Sequence, residues 1–96
     1  MSLSVKDPAE KVVISFDFSA ITSPISGAVL VIKEKGTEID LSGTMFSGVS
    51  QTTGNIVKQM VQGGESGKQY DIRCQVDIAA TGERFVAKDT LPVKTL

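Results

Sequence analysis

The stretch GGESGKQYDIRCQVDI, Gly63–Ile78, carries the fold in its spacing. Tyr70, Ile72, Cys74, Val76 and Ile78 fall on one parity, while Asp71, Arg73, Gln75 and Asp77 fall on the other. Successive side chains of an extended strand point to opposite faces. The alternation therefore predicts a long strand with one face buried and the other in water. Coiled as a helix, the same five residues would scatter around the axis. Gly63, Gly64 and Gly67 predict a corner before this strand. The stretch ATGE, Ala80–Glu83, predicts a turn after it, at a Gly82 free to take positive φ.

The same period recurs outward from this strand. In KVVISFDFS, Lys11–Ser19, the residues Val12, Ile14, Phe16 and Phe18 share one parity, which predicts a half-buried strand. Ala28–Lys35 is apolar on both parities at its start. It fits a strand covered on both faces, or one that ends in a charged edge. Thr37–Leu41 is a short strand candidate, and Met45–Val49 a weak strand before a turn at Thr53–Asn55. The stretch NIVKQMVQ, Asn55–Gln62, fits either period, and its short length and flanking glycines favour a strand. In Arg84–Lys94, Phe85, Ala87, Leu91 and Val93 share a parity. Pro92 has no ladder donor, so this strand should lie at an edge or bulge.

About six or seven short strands, with turn signals every eight to twelve residues and no clear helix, predict an all-β fold. The expected form is an antiparallel immunoglobulin-like β-sandwich, with a small β-barrel as the alternative. At 96 residues the chain is long enough for a single domain, 1–96. Residues 1–5 read as a flexible or added leader. In immunoglobulin-like sandwiches a tyrosine near the start of the sixth strand bonds back to backbone at the preceding corner. Tyr70 sits where that rule wants it. Phe16, Phe18, Ile72, Cys74 and Val76 are expected in the core, with Cys74 acting as a small apolar residue.

Composition excludes several functions. There are 10 Lys and Arg against 11 Asp and Glu, scattered along the chain, which argues against a nucleic-acid surface or a polybasic membrane anchor. The longest apolar run is Ala28–Ile32, too short to cross a bilayer, and no signal-peptide pattern opens the chain. With no histidine and 1 cysteine, the chain lacks Ser-His-Asp and Cys-His catalysis, His-ligated zinc, thiolate clusters and an internal disulfide. The stretch QGGESGKQ glances at a phosphate-binding loop. However, Gln62 stands where the first glycine should be, Gln69 stands at the Ser/Thr position, and no helix pattern follows. Glu34, Glu38 and Asp40 sit among lysines and read as a solvated strand edge. Asp17 reads as outward-facing, with a capping bond to the next turn as its one further role. No catalytic, cofactor or metal residues are predicted.

Three stretches, KDPAEKVVISFDFSA, VQGGESGKQYDIRCQV and ATGERFVAKDTLPVK, follow the order of motifs in a group of small phage proteins. The matching positions are Lys6, Asp7 and Pro8; Asp17, Phe18 and Ser19; Gly63, Gly64, Gly67 and Tyr70; and Gly82 and Glu83. Phe18 stands where a tryptophan is common. The chain thus resembles phage and prophage structural proteins of the tail or neck, of the fiber–tail adaptor type. The resemblance implies a virion component, made in the host bacterial cytoplasm. It would join other tail or neck proteins, and copies of itself, without nucleic acid, membrane or cofactor. The alternative is an immunoglobulin-like module that binds a carbohydrate or a cell-surface ligand.

Overall fold

The computed structural model describes residues 5–21 and 23–96. The leader reading of residues 1–4 lies outside the described residues, whereas Val5 is half exposed. Six strands follow in chain order: β1 (Val12–Asp17), β2 (Gly27–Glu34), β3 (Phe46–Thr53), β4 (Ile56–Val61), β5 (Gln69–Ile78) and β6 (Glu83–Pro92). One short helix, α1 (Ser42–Met45), lies between β2 and β3. The strands form two antiparallel three-stranded sheets, ordered β1-β4-β3 and β2-β5-β6. This is the B-E-D and C-F-G order of the immunoglobulin sandwich, with β5 in the place of strand F. Among the described residues no ladder joins the two sheets, so the barrel alternative does not hold.

The period-two pattern explains why these segments are strands and which faces meet. On β5, Tyr70, Ile72, Cys74, Val76 and Ile78 are all buried. On β1, Ile14 and Phe16 are buried, and Phe18 just past its end is buried too. Val57 and Val61 of β4, Ile32 of β2, Leu91 of β6 and Val93 just beyond it complete the core, with Met45 of α1 closing one end. Each apolar side chain fully withdrawn from water contributes roughly 1.5–3 kcal/mol. That makes the alternation on β5 the largest single block of favourable burial.

Several expectations need correction. Of the two readings of Ala28–Lys35, the strand covered on both faces does not hold and the one with a charged edge does: Val29 of β2 is 58% exposed, and the strand ends at the charged pair Lys33 and Glu34. The segment Thr37–Leu41 is not a strand: it touches β2 through one bridge, Lys33 to Asp40, and Ile39 is exposed. Met45 belongs to α1, and β3 begins one residue later and runs on to Thr53. Phe85 has the inward parity of β6 and pairs with the buried Val76, yet it is exposed, because β6 is the edge strand of its sheet and has no neighbour on its outer side. The molecule is elongated, 43 × 24 × 24 Å. Pro92 closes β6, which is an edge strand.

Candidate interaction surface

Two features stand out. One is a hydrogen-bonded knot at one end of the sandwich, and the other is the uncovered face of the β2-β5-β6 sheet. The knot forms around the corner Gly63–Lys68. Tyr70 is buried at the start of β5, and its hydroxyl accepts the Glu65 amide at 2.8 Å. Gly63, Gly64 and Gly67 all have positive φ, at 70°, 94° and 85°. At Gly64 the glycine is also needed for space. A Cβ there would lie 3.0 Å from Val93 Cγ2 and 3.3 Å from both Met45 Cε and Tyr70 Cε2.

Lys6 threads this knot. The side chain is buried, and its Nζ donates to the carbonyls of Gly63 at 2.7 Å and Asp7 at 2.9 Å. Its backbone pairs in parallel with Val93, through Lys6 N to Pro92 O and Lys94 N to Lys6 O, both 2.9 Å. Burial pushes the Lys6 ammonium below its usual pKa, with the nearby Glu10 and Asp7 carboxylates opposing that shift. Asp7 then ties the segment after Lys6 to Leu96. Its carboxylate accepts the amides of Ala9 at 2.8 Å and Leu96 at 2.9 Å, which holds its pKa below the ordinary value. Pro8 continues the turn, which closes with Glu10 N donating to Asp7 O. The Lys6-Asp7-Pro8 run and the glycine corner, far apart in sequence, thus meet at one end of the fold. Lys68 sits across the corner, paired with Glu34 at 2.7 Å and Glu65 at 3.0 Å, and these carboxylates raise its pKa.

The second feature is the water-facing side of β2, β5 and β6. Register sets its rows: Gly27, Asp77 and Arg84; Val29, Gln75 and Val86; Val31, Arg73 and Lys88; Lys33, Asp71 and Thr90. Val29 and Val86 are exposed and flank Gln75. On one side Arg84 pairs with Asp77 at 2.7 Å, in an ion pair that raises the arginine pKa. On the other side an open groove of about 740 Å³ lies between the sheet and the Gly36–Glu38 turn. There Lys33 pairs with Glu38 at 3.1 Å, and Thr90 Oγ1 donates to Asp71 at 3.0 Å. Arg73 and Lys88 stand directly opposite each other in the ladder, and Arg73 donates to Gln75 at 3.3 Å. An apolar row bordered by charged side chains has the anatomy of a protein-contact patch.

Cys74 is fully buried on the inner face of β5, and burial pushes its thiol up to about 11. A thiol so placed is not a nucleophile at neutral pH. Phe16, Phe18, Ile72 and Val76 lie with it in the core, while Gly82 turns the β5–β6 hairpin and donates to Ile78 O at 2.8 Å. Asp17 is exposed, and its carboxylate accepts the Ser19 amide at 2.8 Å; the Ser19 hydroxyl and amide hold its pKa down. Among the described residues no three His, Cys, Asp or Glu side chains come close enough to hold a metal ion. No helix among them is long and apolar enough to cross a membrane.

Sequence reading missed two polar side chains that tie the backbone together, the buried Gln59 and the half-buried Asn55. Gln59 sits between Val57 and Val61 on the inward parity of β4, and its amide donates to the carbonyls of Ser47, Gly48 and Met60. It ties down the register shift of β3 between Ser47 and Gln51. Its parity could have revealed it. Asn55 donates to the carbonyls of Ile21 and Ser23 and anchors the β1–β2 connection, which no local pattern announces. No protein-family model matches the chain, and no curated protein matches it either.

Proposed function

We propose that the chain is a non-enzymatic structural module of a phage or prophage particle. In this reading it is an adaptor in the tail or neck, made in the bacterial cytoplasm and incorporated into the virion. The reading rests on the motif order, and one observation supports it most: the motif residues make a frame. Lys6, Asp7, Gly63, Gly64 and Tyr70 form one knot that ties the segment before β1 and the segment after β6 to the corner. Residues spent on rigidity leave the sheet faces and edges to make contacts, which is what an adaptor requires. The row Val29, Gln75, Val86 on the open sheet face suits packing against a neighbouring virion protein. The carbohydrate alternative has less to work with. Stacking on a sugar needs an exposed aromatic face, and Phe85, at 36% exposure, is the one aromatic side chain among the exposed large hydrophobics.

Deleting the gene from a phage that carries it, followed by electron microscopy of the particles, tests the proposal. The expected result is heads and tails, or tails and fibers, that fail to join, with joining restored by the gene in trans. Intact, infectious particles that an antibody to this chain does not label would overturn it.

A further inference from the structure

Each sheet ends in two edge strands, and the edges of β6, β3 and the far half of β2 are blunted in ways that discourage pairing with another chain. The edge of β6 carries Pro92, which lacks a donor, and the charged Asp89 on the inward parity, and its end is covered by Lys6. The edge of β3 is broken by the register shift between Ser47 and Gln51, with Gly48 at positive φ. The far half of β2 is covered. Ile32 O accepts Leu41 N at 2.8 Å, Ile32 N donates to Ser42 Oγ, and Asp40 bridges Lys33.

The edge of β1 has no such device. Phe18 N donates to Asn55 O, continuing the β1–β4 register, so the even residues of β1 bond toward β4. The amides and carbonyls of Val13 and Ser15 therefore point away from the sheet, and among the described residues no backbone partner meets them. From Val12 to Phe16 the strand holds neither proline, glycine nor charge. In the immunoglobulin fold this is the side on which strand A would lie. Beside it runs a groove of about 370 Å³, lined by Val5, Glu10, Val12, Val13, Ile14 and Leu91 among others.

We propose that this edge pairs with the β1 edge of a second copy of the chain, antiparallel about a two-fold axis at Ile14. In that register Val13 lies opposite Ser15 of the other copy, so each pair exchanges two backbone hydrogen bonds. One step further out, Lys11 lies opposite Asp17 of the other copy, and the symmetry repeats the pair at the far end. All four residues are exposed and share the outer face. The strand is thus self-complementary in charge as well as in hydrogen bonding, as a two-fold contact must be. A parallel arrangement would set Lys11 beside Lys11 and Asp17 beside Asp17. The product is one six-stranded sheet, β3-β4-β1 continued by its symmetry mate, formed by strand addition. An edge of this length buries less than the roughly 1,200 Å² of a standard stable interface, so the dimer is weak in isolation and is reinforced by repetition in an assembly. This deepens the assembly reading by naming one contact. It is tested on the isolated chain, so it can fail while the virion role stands, and the reverse also holds.

Sedimentation equilibrium of the full chain from roughly 10 µM to 1 mM tests the pairing. The mass is expected to rise from one chain of 10.2 kDa toward two. Lys11→Glu or Asp17→Lys alone is expected to weaken association by about threefold to tenfold, by opposing like charges across the axis. The double variant is expected to recover the wild-type value, because the charges are exchanged but remain paired. Ser15→Pro, which removes an outward donor at an edge where proline is tolerated, is expected to leave a folded monomer. A single-chain mass throughout the range would overturn the proposal. So would association in which the double variant is no tighter than the single reversals.

Discussion

The hydroxyl of Tyr70 accepts the amide of Glu65 at 2.8 Å, across a corner in which Gly64 lies against the tyrosine ring. One residue thereby closes the end of the core and satisfies a backbone donor of the loop that precedes it. The ring contributes packing and the hydroxyl contributes one hydrogen bond, and the two can be separated. Tyr70→Phe should cost about 1 kcal/mol, the net worth of one hydrogen bond. Tyr70→Ala should cost about 3–5 kcal/mol through the cavity it leaves. Urea melts of the three proteins measure both. A neutral Tyr70→Ala would remove the corner from the account.

Gly64 and Gly82 share a positive φ but differ in surroundings. At Gly82 a Cβ would meet open space, whereas at Gly64 it would press on Val93, Met45 and Tyr70. Gly82→Ala should therefore cost only the backbone term, about 1–2 kcal/mol. Gly64→Ala should cost more, about 2–4 kcal/mol, because overpacking is added to the same backbone term. Equal losses in thermal or urea melts would mean that the corner is looser than its contacts imply.

Among the described residues Lys6 is the one buried cation, and it holds the Gly63 carbonyl at 2.7 Å. Lys6→Met keeps the apolar stem and removes the donor, so the Gly63 and Asp7 carbonyls lose their side-chain partner. The expected cost is about 1–3 kcal/mol, the penalty for an orphaned buried acceptor, lessened because a charge need no longer be desolvated. Amide exchange should also quicken at Lys94, whose N–H bonds to the backbone carbonyl of residue 6. A melt and an exchange profile unchanged from wild type would show that the Lys6 contact holds nothing together.

Alkaline stability should depend on Cys74. Burial raises its thiol from 9.0 to about 11 in the fold. Between those values the unfolded chain has lost the proton and the native chain keeps it, so stability falls as pH rises through that window. Lys68, raised by Glu34 and Glu65, adds to the fall, and Lys6, lowered by burial, opposes it. Cys74→Ala should make the decline from pH 9 to 11 shallower while lowering stability at neutral pH. Parallel pH profiles for the two proteins would contradict the burial of the thiol.

The sequence reading succeeded where one period was written without error. Tyr70 to Ile78 and Val12 to Phe18 announce their faces because each buried residue is apolar and each exposed one polar or small-contact, with Val13 the exception. It failed where burial depends on a strand's place in the sheet. Phe85 has the right parity and lies beside the buried Val76, but parity does not record which inward residues an edge strand leaves uncovered. Ala28–Lys35 left two readings open, and Val29 on an open face decides for the one that ends in a charged edge. The Tyr70 bond to its corner was legible, but the Lys6 part of the knot could not be foreseen, since Lys6 and Gly63 meet across 57 residues. Gln59, by contrast, was visible as the polar residue on the inward parity of β4.

The account stands on β5 lying extended with every second side chain inside the sandwich. Single cysteines placed along that strand in a Cys74→Ala background, labelled with a water-soluble thiol reagent under native conditions, read this out residue by residue. Cysteines at positions 71, 73 and 77 should label at rates close to those of the unfolded chain. Those at positions 72 and 76 should be protected by orders of magnitude, since reaction requires the strand to open. Uniform labelling along the strand, or protection that recurs every three to four residues, would contradict the architecture and the structural role built on it.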